Sequence, residues 1–459
     1  MRVLLVSTYE LGHQPLHVAS PAAALEGAGH DVRVLDISVD PWDPSLVDWA
    51  EAVAFSVPMH TAMRLALEGA EAVKRQRPEL PVCLYGLYAH VESGRDVDHV
   101  IAGEYETELL AWVGGTAVAD AAPIDLRRQR FALPIREVLP SLDRYAKLAV
   151  GDEERLAGYV EVTHGCVHRC RHCPVPVVYD GRTRRVEESV ILDDIDQLVE
   201  RGARHITFGD PDFLNRWAYG MRIVERLHQR HPDVTFDITT KVSHLLRYAS
   251  LVPLLAEQGC LFVVSAYECV NDEVLRYLDK GHTAADASRA THLLRASGIE
   301  PRPSWLPFLP WSTVEDVLAI IDFIVDHDLV GSVDPVQLSI KLLIPRGSLM
   351  LDVPEMGSLL GPYDPDALSY TWTAADARTV PLQARVAEIV EIKQADDVPA
   401  PEIFCDIRDA VLEALGRPPA DRASVLANVR ADVPRLTEPW FCCAEPTDLQ
   451  LSSISGGNA

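Results

Sequence analysis

Apolar runs of strand length alternate with amphipathic stretches of helical spacing, and this alternation starts twice along the chain. Such β–α alternation points to parallel sheets with helices packed on their faces. The first series runs "MRVLLVS", "PAAALEGAGH", "DVRVLDIS", "EAVAFSV", "TAMRLALEGAEAVKRQRPEL", "PVCLYGL" and "HVIAGEYETELLAWV". It predicts a doubly wound, Rossmann-like domain over residues 1–115. Residues 116–155 contain prolines, show no clear period and read as a linker. The second series offers "YVEVTHG", "HITFGD", "VTFDIT", "CLFVVSAY", "PRPSWLPF" and "VQLSIKLLI" as strands, with helices such as "ILDDIDQLVERGA" between them. Six such units over 156–350 predict an α/β fold built on a partial parallel (β/α)6 barrel, its chemistry carried by loops at the carboxyl ends of the strands. Residues 351–459 mix helical segments with proline-rich turns and form a C-terminal extension.

Acidic residues outnumber basic ones 68 to 42, for a net charge of −26. Nucleic-acid binders present a basic face, so the expected substrate is a small molecule and no nucleic acid. No apolar stretch reaches the roughly 18 to 20 residues that a membrane helix needs. The opening "MRVLLVST" reads as a buried first strand, not a signal peptide. The expected location is cytoplasmic, with no membrane partner.

Nine cysteines fall at 83, 166, 170, 173, 260, 269, 405, 442 and 443. In a cytosolic chain, an odd and clustered set favours metal or redox chemistry over a disulfide framework. Cys83 and Cys260 lie in or beside apolar strands and read as core. The sharpest signal is "GCVHRCRHC", which sets Cys166, Cys170 and Cys173 just after the first barrel strand. Three thiolates within eight residues suit one corner of an iron–sulfur cluster and leave a fourth iron open. Zinc is the alternative, but it prefers four protein ligands in a structural site, and the neighbouring histidines keep that option open.

Cx3Cx2C placed after the first strand of such a barrel resembles the radical SAM superfamily. The resemblance implies a 4Fe–4S cluster whose open iron chelates S-adenosylmethionine (SAM), and one-electron cleavage of a SAM carbon–sulfur bond. It also implies an external one-electron donor of the flavodoxin or ferredoxin type. His172 stands where the family places an aromatic residue near the adenine; a solvated histidine is the alternative. "FGDPDFL" falls where the family binds the SAM amino group, so Gly209 would allow close backbone approach and Asp210 or Asp212 would accept from the ammonium. An aspartate-capped turn is the alternative there. Lys241, after the third strand, is a weaker cofactor-binding candidate. "SAYECVNDEVLRYLDKGHT" and "IPRGSLML" resemble segments of the subgroup that carries a cobalamin-binding domain, and Glu268 there is a candidate for ribose or amino-acid contact.

"GLYAHVESGRDVDHVIAGEYETELL" resembles the end of a cobalamin-binding domain, with two departures. The usual glycine pair is reduced to Gly86, and "GEGE" has become "GEYE" at 103–106. The Asp-x-His-x-x-Gly signature is absent from the whole chain. Cobalamin and a domain without cofactor are both open readings. His13, at the tip of the first strand, would sit over a corrin.

The tail "PWFCCAEP" places Cys442 and Cys443 side by side, and the readings for them are buried hydrophobes, a surface accident, a strained redox pair or capture of a soft ligand. It resembles the tail of radical SAM proteins that end in "CUAEP" or "CCAEP", a family that includes enzymes of organoarsenical biosynthesis. That resemblance implies transfer of the 3-amino-3-carboxypropyl group of SAM to trivalent arsenic held by Cys442 and Cys443. Cys405 or Cys269 would add a third thiolate, and Glu445 would act as a base or cap a turn. Two rival functions follow from the same residues: a cobalamin-dependent radical SAM methyltransferase acting on carbon, and a non-catalytic metal or metalloid sensor.

Overall fold

A computed structural model describes residues 1–91, 96–117, 124–419, 421–430 and 432–438. Cys442, Cys443 and Glu445 lie outside the described residues.

The first domain is a six-stranded sheet of β1 (Arg2–Ser7), β2 (Asp31–Asp36), β3 (Ala52–Ser56), β4 (Val82–Tyr85), β5 (His99–Gly103) and β6 (Ile124–Asp125), in the order β2-β1-β3-β4-β5-β6. Its strands pair in parallel. Val3 to Val6 and the whole of β3 are buried, because helices cover both faces of a parallel sheet. That is why these runs are continuously apolar and do not alternate.

The second domain begins with β7 (Lys147–Val150) and β8 (Glu153–Val160). A small antiparallel pair follows, β9 (Thr163–Gly165) with β10 (Thr183–Arg185). The strands β11 (His205–Phe208), β12 (Thr235–Thr239), β13 (Cys260–Glu268) and β14 (Glu300–Trp305) complete the curved sheet. A hairpin of β15 (Leu360–Asp364) and β16 (Ser369–Trp372) comes next, then β17 (Arg435–Leu436). The large sheet runs β14-β13-β12-β11-β8-β7-β17, with β8 and β11 to β14 parallel and the outer β7 and β17 antiparallel.

The expected sixth barrel strand, "VQLSIKLLI", is not a strand. Pro335 fixes its own φ and lacks an N–H, and it opens a 3-10 turn over Pro335–Ser339. The Gln337 side chain accepts from the Trp305 backbone N–H at 3.2 Å. Ladder contact resumes only as a single parallel bridge between Phe308 and Lys341. The alternation seen in the sequence was real burial: Val336, Leu338, Ile340, Leu342 and Ile344 are all buried. In place of a further strand, the helices Thr379–Ala395 and Ala400–Ala414 bring Val386, Val390, Ile403 and Ile407 into the barrel's own core. No helix among the described residues is long and apolar enough to cross a membrane.

The stretch expected as a linker holds a fully buried arginine. Arg136 donates to both oxygens of Asp194 at 2.8 and 2.7 Å, to the Tyr159 carbonyl at 2.7 Å and to the Gln14 carbonyl at 3.4 Å. One guanidinium thus ties the first domain to strand β8 and to the helix Glu188–Glu200. Removing one member of such a pair leaves an uncompensated buried charge. Arg136→Met is expected to cost about 3–5 kcal/mol of unfolding free energy by urea titration, and Arg136→Met with Asp194→Leu should recover part of it.

Candidate functional site

The cysteine loop leaves β9 through Gly165, whose φ of +75° suits glycine; a Cβ there would meet the Arg182 carbonyl at 2.5 Å. The loop is pinned at several points. Arg171 donates its backbone N–H to the Leu278 carbonyl and its guanidinium to the Tyr277 carbonyl, both at 2.9 Å. The Cys173 N–H reaches the Cys170 carbonyl at 3.2 Å, and the Val167 N–H reaches Asn215 Oδ1 at 3.4 Å.

Cys166 and Cys170 are buried and Cys173 is partly exposed. Burial pushes the Cys166 and Cys173 thiols up, and neighbouring loop sulfurs add to the rise. The Lys241 ammonium lies 3.2 Å from Cys170 Sγ, an opposite charge waiting for a thiolate. Among the described residues, the ligand atoms that converge within 4.8 Å of one another belong to His168, Asp212 and His244, and the three cysteines are not such a set. Three thiols on one loop, with a lysine beside Cys170 and no fourth protein ligand in the motif, fit a 4Fe–4S cluster with one open iron.

Beyond the loop, Glu268 ends β13 at a register shift with φ +65°. Its Oε1 accepts from His172 Nε2 at 3.0 Å and Lys280 Nζ at 2.9 Å. Burial would raise the Glu268 carboxyl, but Lys280 and His172 hold it well below the usual carboxylate range. Beside this trio His172 Nδ1 is buried without a hydrogen-bond partner, and the His282 ring is buried near Lys280 and Glu268. Burial, with Lys280 nearby, holds His282 neutral, its pKa lowered to about 4. Neutral imidazole beside an anchored carboxylate fits the polar groups of SAM.

The other expected SAM contacts are placed differently. A Cβ on Gly209 would meet Tyr159 Oη at 1.9 Å, so the close approach this glycine allows is that of a tyrosine ring. Asp210 accepts from the Thr163 N–H and Oγ1 at 2.6 Å each and from the Val162 N–H at 2.9 Å. Burial pushes its carboxyl up to about 7, and both oxygens serve to anchor the turn before β9. Asp212 caps the turn Phe213–Arg216 and faces His168 and His244. Cys83, Cys260, Cys269 and Cys405 are all buried. Sequence reading missed His168, His244 and Asn215. His168 stands inside the quoted cysteine motif, but its partners come from other strands, so no local pattern marks it.

Between the two domains lies open space of about 820 Å³, lined among others by Glu10, His13, His17, Gly86, Tyr159 and Gly209. His13 packs on Tyr159 with ring centroids 4.7 Å apart, and burial holds it neutral, with a pKa of about 4. An uncharged imidazole on the wall of this cleft fits a corrinoid metal. The cleft is crossed by ionic contacts: His17 Nε2 to Glu161 at 3.3 Å and His164 Nδ1 to Glu104 at 3.1 Å.

Family models match residues 2–113 to the B12 binding domain and residues 160–324 to the radical SAM superfamily. The chain joins a B12-binding domain to a radical SAM domain. Among curated proteins, it is 24% identical over 330 residues to the hopanoid C-3 methylase of Methylococcus capsulatus, covering 64% of this chain and 62% of that one. It is 23% identical over 225 residues to the ribosomal protein uS12 methylthiotransferase RimO of Chloroherpeton thalassium, covering 43% and 52%. The chain thus spans only part of the length of these relatives. Among solved structures, the radical SAM methyltransferase TsrM of Kitasatospora setae, bound to tryptophan and a SAM analog, superposes with a TM-score of 0.63 at 18% identity, covering 93% and 97%. The cobalamin-dependent SAM radical enzyme OxsB, bound to aqua-cobalamin and SAM, gives 0.63 at 12% identity, covering 99% and 83%. These similarities establish the shared fold.

The cleft network sets a pH window. Burial would lower His17, but Glu10 and Glu161 raise its pKa from 6.5 to about 9. Its stabilising contribution is full below pH 6.5 and is lost as pH rises through 9. Burial raises Glu10 from 4.5 to about 7, so its cost to the fold accrues between those values. His164, which burial would lower but chiefly Glu104 raises to about 10, loses its contribution over a range that overlaps that of His17. Thermal unfolding should therefore shift to lower temperature as pH rises from 6.5 to 9, and His17→Gln should reduce that slope. An unchanged pH profile in the variant would remove His17 from the interface energetics.

Proposed function

We propose that this chain is an enzyme that reductively cleaves SAM at a 4Fe–4S cluster held by Cys166, Cys170 and Cys173, and transfers a SAM-derived group to a small molecule. The observation that carries this reading is the three-thiol loop beside Lys241, with buried Cys166 and Cys170, next to the His172–Glu268–Lys280 trio. The cluster, when bound, supplies the electron that breaks a carbon–sulfur bond; a small flavodoxin- or ferredoxin-type protein delivers it. The protein's own residues do the positioning. Lys241 offsets thiolate charge at Cys170. Glu268 fixes His172 and Lys280 in place. His172 and His282 offer imidazole nitrogens to the polar parts of SAM, and the C-terminal helices complete the barrel wall.

For the group transferred, methyl transfer to carbon with cobalamin in the cleft is the reading the comparisons favour. It is supported by the B12-binding match, by the neutral His13 on the cleft wall and by the methylase and methyltransferase activities named for similar proteins. A second reading, transfer of the 3-amino-3-carboxypropyl group to a thiophilic substrate such as trivalent arsenic, is favoured by one observation. The last described residue, Glu438, accepts from Tyr9 Oη at 3.0 Å and sits against Gly12, one residue from His13 of the cleft, lining a separate cavity with Arg144 and Tyr145. Cys442 and Cys443 follow four and five residues later, within about 18 Å of extended chain.

Anaerobic reconstitution with iron and sulfide, then dithionite and SAM with and without arsenite, separates these readings by mass spectrometry. S-adenosylhomocysteine together with a corrin absorption band supports methyl transfer. An aminocarboxypropyl–arsenic product that disappears in Cys442→Ser with Cys443→Ser, while SAM cleavage persists, supports the second. Intact SAM beside a well-formed cluster overturns both and points to a sensor.

A further inference from the structure

We propose that His168, Asp212 and His244 form a second metal site, for one divalent first-row transition cation, beside the cluster loop. The three residues come from three separate elements. His168 lies in the loop between Cys166 and Cys170, Asp212 follows β11, and His244 sits in the helix Val242–Arg247 after β12. His168 Nε2 lies 3.4 Å from Asp212 Oδ2, and one ligand atom from each of the three residues falls within 4.8 Å of the others. The two His244 nitrogens face different members of the group: Nδ1 lies 2.8 Å from Asp212 Oδ2 and Nε2 lies 3.2 Å from His168 Nε2. Ligand atoms on one tetrahedral ion sit roughly 3.4 Å apart, so the His244 ring would present one nitrogen and the group would draw together around the ion.

The partner pattern distinguishes this site from an ordinary ion pair. Asp212 is fully buried, and its Oδ1 is committed to Thr240 Oγ1 at 2.6 Å and the Leu214 N–H at 3.1 Å. Its buried Oδ2 is shared between His244 Nδ1 at 2.8 Å and His168 Nε2 at 3.4 Å. One carboxylate oxygen therefore faces two imidazoles at once. A carboxylate with one oxygen anchored by the protein and the other turned inward is how ligating carboxylates are held. The His168 side chain is 22% exposed, which leaves a route from solvent.

Two imidazoles and one carboxylate suit iron(II), cobalt(II) or zinc better than magnesium or calcium. Three protein ligands also leave coordination open for water or a substrate oxygen. Because His168 lies between two cluster ligands, an ion here would fasten the cluster loop to the ends of β11 and β12. It would also commit Asp212 to the ion and leave recognition of SAM to the groups around Glu268.

The test removes the competing thiolates. The full chain carrying Cys166→Ala, Cys170→Ala and Cys173→Ala is titrated with cobalt(II). One equivalent should bind with visible d–d bands and without near-ultraviolet thiolate charge transfer, and His244→Ala or Asp212→Asn in that background should abolish the bands. In parallel, zinc is measured against iron in the cluster-loaded wild type after dialysis. One zinc should accompany four irons, and His168→Gln should weaken zinc at least about tenfold while the iron content holds. Cobalt spectra of thiolate character that survive the substitutions, or the absence of stoichiometric metal in both experiments, would overturn the proposal.

Discussion

A buried guanidinium holds the two halves of this molecule in register. Arg136 has no contact with water, and its donors are spread over a carboxylate on a barrel helix, a carbonyl of β8 and a carbonyl of the first domain. Taking such a charge out of water is costly, and the cost is offset only because planar, bidentate geometry meets Asp194 on both oxygens. The strand that supplies the Tyr159 carbonyl also carries the ring that fills the space above Gly209. Any shift at Arg136 would therefore move the wall shared by the cleft and the barrel mouth.

Around the cysteine loop, charge is arranged in compensating pairs. Lys241 answers the sulfur of Cys170, and Lys280 with His172 answers Glu268. Lys241 lies just after β12, whereas Lys280 lies in the turn after the helix Asp272–Tyr277. The loop is thereby bordered by filled cation–anion pairs, which hold its surroundings rigid.

Much of this was legible in the sequence, for local reasons. Apolar runs reported their own burial, and the cysteine spacing needed only one loop. The sixth strand failed because alternation records burial, while Pro335 decides hydrogen bonding. At Gly209 the group that approaches the backbone is Tyr159, which lies on another strand and could not be inferred. The grouping of His168, Asp212 and His244 was hidden for the same reason, since each belongs to a different element. The linker looked featureless because a single arginine leaves no periodicity.

The pairing of β17 with β7 joins residues 435–436 to 148–149, nearly the whole barrel sequence apart. Closing so long a loop adds entropy cost for only two residues of ladder. This strand is expected to dock after the rest of the sheet has formed and to release before it, as a low-stability unit of its own. Residues 435–436 thus form an edge that can separate from β7 while β8 and the strands β11 to β14 stay paired.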